Sequence, residues 1–371
     1  MTRLTIVRRD DGQWLNDTGM NHLLLSLTSL SYVTISRFTT TQHSMMFGRG
    51  LRSKKLIVLD LTKSCIGPVA ASELGRGSFP NLEVLRMQSN NLRSEGLAGL
   101  FKNGLGSQKL KYLQLNRNQL SMNALGSLCD RGMQALGTSL HAYRHTLEIL
   151  DLDSNGIDDG GIHSISQGIE MMERLSVLKM RYGARNVHEK NRMNSGISDQ
   201  GGISLARALK KSMLLRTSKG DDGGATTKKK NKRNKQNKQD VPSAVQIQLL
   251  EMVDVRDHRI GNLGVIALVR ALYGNGRTPE VVGMTEKTCR LMLQGNPTIG
   301  EAVVRPLATS MKWDGSLEFM RQKIIETFGI WNEGGQGGGE KEEDDNDKED
   351  FQWKVRSQQL DQSRKRTSML L

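Results

Sequence analysis

The chain has 371 residues, with 53 Lys+Arg against 39 Asp+Glu and a formal net charge of +14. Hydrophobic residues make up 36% and aromatic residues 4%, with 39 Gly and only 6 Pro. This composition excludes collagen, a wholly disordered chain and a disulfide scaffold, and it raises the question whether the positive charge marks a nucleic-acid surface. Cys65, Cys129 and Cys289 are odd in number, far apart and outside any C-x-x-C, which fits a reducing compartment. The histidines show no H-x-x-x-H spacing and no Cys/His cluster, so no metal or other cofactor is expected. The apolar run Leu23–Leu30 is short and interrupted by Ser26, Thr28 and Ser29. It reads as neither a signal peptide nor a membrane span, so a soluble cytoplasmic protein is expected. The sequon at Asn16-Asp17-Thr18 is read as chance.

Residues 1–29 precede any clear periodicity and are assigned to an N-terminal segment or cap. From Leu30 a motif then recurs. Leu30-x-x-Val33-x-Ile35 fits weakly, and Leu56-x-x-Leu59-x-Leu61-x-x-Ser64-x-Ile66 is the first full copy. It returns from Leu82, Leu110, Leu147 and Leu175, then from Leu250, and ends in a degenerate Leu291-x-Leu293-x-x-Asn296. Apolar residues at offsets 0, +3 and +5 make a strand whose core face one unit cannot bury alone, so stacked units form a solenoid. At +8 stands Asn90, Asn118 or Asn155, whose amide can satisfy backbone groups of the neighbouring turn; Ser64, Gly183 and His258 take its place in other units. After the strand, Asp159-x-Gly161 and Asp199-x-Gly201 mark capped helix starts, each followed by an amphipathic helix.

Residues 30–312 are therefore the predicted α/β solenoid. Unit starts lie 26 to 28 residues apart except for one step of 37, which places an insertion near Cys129–Gly137. The 75 residues between Leu175 and Leu250 hold two more insertions, 184–196 and a Lys-rich one at about 216–243 that is predicted to be disordered. Residues 313–332 read as a C-terminal capping helix, since solenoid ends must be covered. Residues 333–371 read as a disordered tail, first acidic, then basic.

The repeat pattern resembles the leucine-rich repeat superfamily, in particular its long-repeat, ribonuclease-inhibitor-like class. The resemblance implies a horseshoe with a parallel sheet on the concave face, helices on the convex face, and protein binding by the concave face. Strand side chains alternate, so offsets +4 and +6 point away from the core. They supply Asp60, Arg86 with Gln88, Gln114 with Asn116, Asp151 with Asp153, Lys179 with Arg181, and Asp254 with Arg256; Tyr112 and Tyr182 lie near the face as candidate anchors. An acidic rung beside a basic one suggests a polar groove for a protein partner, against the alternative of a merely solvated face.

The insertion's Lys228, Lys229, Lys230, Lys232, Arg233 and Lys235 are read as a nuclear-import signal, or else as a linker without a role. No aromatic residue is interleaved with them, which argues against nucleic-acid binding. An acidic segment after a leucine-rich array is similar to the layout of the Ran GTPase-activating protein, which implies an alternative as activator of a small GTPase through one arginine. Arg37, Arg86 and Arg117 are the candidates, although none matches that family's motif and its acidic overall charge is absent here. No nucleophile triad, phosphate loop or zinc-protease motif occurs, so a monomeric, non-enzymatic scaffold is the leading expectation, with a basic nuclear adaptor as a further alternative. Residues 216–239 carry net +7 and residues 333–350 net −7, and the rest of the excess is expected to be thinly spread over the solenoid.

Overall fold

The computed structural model describes residues 3–7, 22, 29–36, 41–102, 104–120, 131–183, 196–221, 250–273, 289–293 and 296. The capping helix expected at 313–332, the tail at 333–371 and the six basic residues at 228–235 lie outside the described residues, as does Arg37.

Nine parallel strands form one open sheet in strict chain order. They are β1 (Arg3–Val7), β2 (Tyr32–Ser36), β3 (Val58–Asp60), β4 (Val84–Arg86), β5 (Tyr112–Gln114), β6 (Ile149–Asp151), β7 (Val177–Lys179), β8 (Met252–Asp254) and β9 (Arg290–Met292). Seven described helices lie between them: α1 (Thr41–Gly50), α2 (Pro68–Gly75), α3 (Arg93–Phe101), α4 (Arg131–Leu140), α5 (Asp159–Glu170), α6 (Asp199–Asp221) and α7 (Asn262–Tyr273). The chain is an α/β solenoid, as the periodicity predicts. The sheet starts inside the 1–29 segment, because β1 pairs with β2 from Arg3 opposite Tyr32 to Val7 opposite Ser36.

The register explains the repeat. The +3 residues Leu59, Leu85, Leu113, Leu150, Leu178, Val253 and Leu291 stand opposite one another across successive strands. Together with the +5 residues from Leu61 to Leu293 they are buried in one continuous core. Each buried leucine contributes about 2 kcal/mol, but only when the next unit is stacked on it. Strand β7 pairs directly with β8, so the 75 residues between Leu175 and Leu250 hold a single unit.

Two insertion boundaries differ from the sequence reading. Helix α4 begins at Arg131, so the additional residues of its unit precede the helix instead of spanning Cys129–Gly137. Gly132 takes the helix-start position, where a Cβ would sit 2.6 Å from the Ser94 carbonyl oxygen, so only glycine lets α4 pack against α3. Helix α6 runs on to Asp221, so the Lys-rich insertion does not start at 216. Arg216 is buried, and its Nη2 donates to the Leu175 carbonyl at 2.9 Å. A basic residue at the end of a polar stretch looked like loop, but its guanidinium reaches back across the helix to the start of its own unit.

The +8 side chains form the expected ladder. Asn90 Oδ1 accepts from the Ser64 and Ile66 amides at 2.9 and 3.0 Å, and its Nδ2 donates to the Leu61 and Met87 carbonyls. Asn118 and Asn155 repeat this one unit on each time, with Oδ1 accepting from Asn90 N and Asn118 N at 3.1 and 2.6 Å. Asn296 does the same for Ile260 N and the Val255 carbonyl. Ser64 makes half a rung, its hydroxyl donating to the Ile35 carbonyl at 2.6 Å. Gly183 makes none: its φ is +39°, and a Cβ there would collide with the Ser154 hydroxyl.

A second ladder runs along the helix starts. The polar side chain two residues before the helix-start glycine was expected to cap its own helix, but it accepts from the helix-start glycine of the next unit. Ser94 Oγ takes Gly132 N at 3.0 Å, Asp159 Oδ1 takes Gly201 N at 2.9 Å, and Asp199 Oδ1 takes Gly264 N at 2.7 Å. Asp158 caps α5 itself, through Gly161 N. Each unit thus satisfies its neighbour's orphan amides, which a helix terminus otherwise leaves open.

Replacing Asn118 by Ala removes four side-chain hydrogen bonds at a fully buried site. We expect a loss on the order of 3 kcal/mol in urea unfolding, since each buried group left unsatisfied costs about 1–3 kcal/mol. The exposed Gln134→Ala should stay near wild type.

Candidate functional site

Strand alternation puts offsets +2, +4 and +6 on the concave side, and the register lines them up in rows. The +4 row runs Asp60, Arg86, Gln114, Asp151, Lys179, Asp254 and Met292. Directly beside it runs the +2 row, Val58, Val84, Tyr112, Ile149, Val177 and Met252, a mainly apolar stripe of which only Tyr112 was anticipated from the sequence. The same parity rule that selected +4 and +6 would have found it.

The face divides in two. Across β3–β5, Val58, Asp60, Val84, Arg86 and Tyr112 are half-buried and reachable. Arg86 Nη1 lies 3.5 Å from Asp60 Oδ2, and the Tyr112 hydroxyl donates to Glu148 at 3.3 Å. Gln88, Gln114 and Asn116 are buried. Across β6–β8 the +4 charges are buried as well: Asp151 is 4% exposed, Lys179 5% and Asp254 1%, an acid–base–acid row with the lysine in the middle.

Local bonds account for much of this chemistry. In three units the +4 Asp accepts from the +6 amide: Asp60 from Thr62, Asp151 from Asp153 and Asp254 from Arg256, at 3.1 to 3.2 Å. That is an Asx turn repeated along the sheet, and it fixes where each strand ends. Directly after it, Lys63, Ser89, Arg117, Ser154 and Asp257 all have φ of +53° to +60°. No glycine marks this left-handed turn, so nothing in the residue types announced it.

The Asp254 carboxylate is also gripped by its own Arg256, from Nε at 2.9 Å and from Nη2 at 2.7 Å. Arg181 Nε donates to Asp257 of the next unit at 2.5 Å. Asp153 accepts the Arg181 amide at 2.7 Å. Burial pushes the Asp153 carboxyl well above the usual carboxylate range, and Asp151 and Asp254 add to this, while Lys179 and the Arg181 amide oppose it. The expected acidic and basic rungs do meet, but mostly one another.

Tyr182 is not an outward anchor. It is 9% exposed and packs edge-on against the His258 ring, with centroids 5.7 Å apart. His258 stands in the +8 ladder in place of Asn. Its Nδ1 accepts the Ile197 amide at 3.0 Å and its Nε2 donates to the Met180 carbonyl, the same two roles an Asn amide fills. Nδ1 must therefore be unprotonated. Of the arginines considered for GTPase activation, Arg86 is paired with Asp60 and Arg117 sits in the left-handed turn with its amide on the Asp153 carbonyl. Among the described residues no group of acidic, His or Cys side chains is placed to hold a metal, and no helix is long and apolar enough to cross a membrane.

A family model described as Leucine Rich repeat matches residues 80–101 and 144–166. These two segments run from just before β4 through α3 and from just before β6 into α5, one strand–turn–helix unit each. Two of the solenoid's units thus match leucine-rich repeats. No curated protein matches the chain.

Burial holds the His258 imidazole down at about 4 against 6.5 for the free side chain, with Asp254, Asp257 and Asp159 partly offsetting it. As pH falls below about 6.5 the unfolded chain takes up a proton that the folded one refuses until about 4. Folding stability is therefore lost across that window, by on the order of 3 kcal/mol. His258→Asn keeps both ladder bonds without a titrating group. Urea unfolding at several pH values should show its stability close to wild type at pH 7.5 and progressively above it towards pH 4.

Proposed function

We propose that this protein is a non-enzymatic scaffold that binds a protein partner through the concave face of its leucine-rich repeats. The observation that carries the reading is the half-buried patch on β3–β5, where Val58, Val84 and Tyr112 flank the Asp60–Arg86 pair. A tyrosine and an arginine beside apolar surface, held on rigid strands, is the composition that protein interfaces favour at their centre. Leucine-rich repeats generally serve as protein-interaction modules, which supports the same reading. Asp153, Arg181 and Arg256 on β6–β8 extend the contact at its rim, while Asp151, Lys179 and Asp254 hold the strand ends in shape and Gln88, Gln114 and Asn116 act from beneath. The unit length of 26 to 28 residues and the helix in each unit support the long-repeat, ribonuclease-inhibitor-like class. We place the protein in the cytoplasm or nucleus, acting as a monomer.

The test is affinity capture from the native cell with the full-length chain, compared with Arg86→Gln/Tyr112→Ala after matching thermal melts. At least one partner should bind the variant tenfold or more weakly. An unchanged partner set would overturn the concave-face reading. If that partner is a small GTPase and Arg86→Gln abolishes stimulated GTP hydrolysis, the protein is an activator instead.

A further inference from the structure

The solenoid's positive charge is not thinly spread. Each helix leaves its C-terminus on the same edge of the array and enters the next strand there. The five helix-to-strand connections, 51–57, 76–83, 102–111, 141–148 and 171–176, carry nine Lys or Arg against three Glu. Among their described residues, the opposite, strand-exit connections (61–67, 87–92, 115–120, 152–158, 180–183 with 196–198, and 255–261) carry five Lys or Arg against three Asp.

The acids of the basic edge are also withdrawn. Glu83 is 16% exposed and paired with Lys111, and Glu173 is 19% exposed and paired with His145. Lys54, Lys55, Lys102, Lys109 and Arg174 are exposed. The surface seen by an approaching partner is therefore more positive than the residue count.

Helix dipoles account for only part of this. A cation stabilises a helix C-terminus only from its last turn or cap. Arg76 and Lys102 are the C-cap residues of α2 and α3, but Lys54, Lys55, Lys109 and Lys111 lie beyond the helix ends. Their placement is braced instead. Asn81 donates from Nδ2 to the Lys54 carbonyl at 2.9 Å, and its Oδ1 accepts from the Lys109 ammonium at 2.7 Å. One neutral side chain thus ties three successive connections together and sets Lys54, Lys55 and Lys109 in one patch.

We infer that this edge docks an acidic, extended peptide segment of a protein partner. Lys54 and Lys109 belong to connections two strands apart, about 10 Å on the strand side, which three residues of extended peptide span. The phenyl and phenol rings of this edge, Phe79 and Tyr143, are fully buried, which leaves only the imidazoles of His141 and His145 exposed for a base to stack on. The inference is independent of the concave-face reading, since none of these lysines lies on that face.

The probe is a fluorescent twelve-residue polyglutamate peptide titrated against the full-length protein, with the basic segment 228–235 intact throughout. Lys54→Gln/Lys55→Gln/Lys109→Gln should weaken binding at least tenfold and flatten its salt dependence, with an unchanged melting temperature. Asn81→Ala should weaken it severalfold without altering the charge. Arg86→Gln/Tyr112→Ala should bind the peptide as wild type does, which separates this site from the concave face. Absence of binding to wild type, equal binding by the triple variant, or tighter binding of a duplex DNA of equal charge would overturn the inference.

Discussion

No unit of this chain can satisfy its own backbone. A three-residue strand followed by a left-handed turn leaves amides and carbonyls open on one side, and a helix start leaves amides open on the other. Both are closed from the neighbouring unit, by Asn90, Asn118, Asn155, His258 and Asn296 at the strand exit and by Ser94, Asp159 and Asp199 at the helix start. The leucine core follows the same rule, since each strand's apolar face is covered only by stacking. Every other property of the molecule rests on this mutual dependence.

It also governs what the charged residues can do. An aspartate at +4 reads as a surface group, but three of them are turn formers whose oxygen holds the +6 amide. Once it is committed there, burial becomes tolerable, and Asp254 sits almost without exposure under its own arginine. The reachable part of the concave face is what the turn chemistry leaves over, mainly the +2 stripe and the arginines whose stems lie along it.

The stacking was legible because it depends on residue type at fixed spacing. Leucine at 0, +3 and +5 and asparagine at +8 are required by geometry, so they recur. The edges of the units were not legible for a physical reason: backbone conformation and long side chains decide them. Arg117 and Lys63 adopt left-handed φ with nothing in their chemistry to signal it. Arg216 looked like the start of a polar loop, yet its reach of several bonds finds the carbonyl at the start of its own unit. Tyr182 was placed near the concave face by its position after the strand, but the histidine that replaces an asparagine gave it a ring to pack on. The basic edge was hidden because its members are scattered in sequence, and only the solenoid collects them.

The missing rung at Gly183 has a mechanical meaning. In a stack held by nearest-neighbour terms, one weaker junction does not lower the whole evenly; it decides where the stack parts. Between β6 and β7 the asparagine amide is absent, and the Asp153 carboxyl takes the Arg181 amide in its stead. That substitute bond rests on a carboxyl that burial holds well above the usual carboxylate range. On the helix side the same junction is closed by Asp159, which accepts from the Ser198 and Gly201 amides, and by Ser212, which donates to the Met172 carbonyl, so load across this junction passes through the helix seam more than through the strand exits.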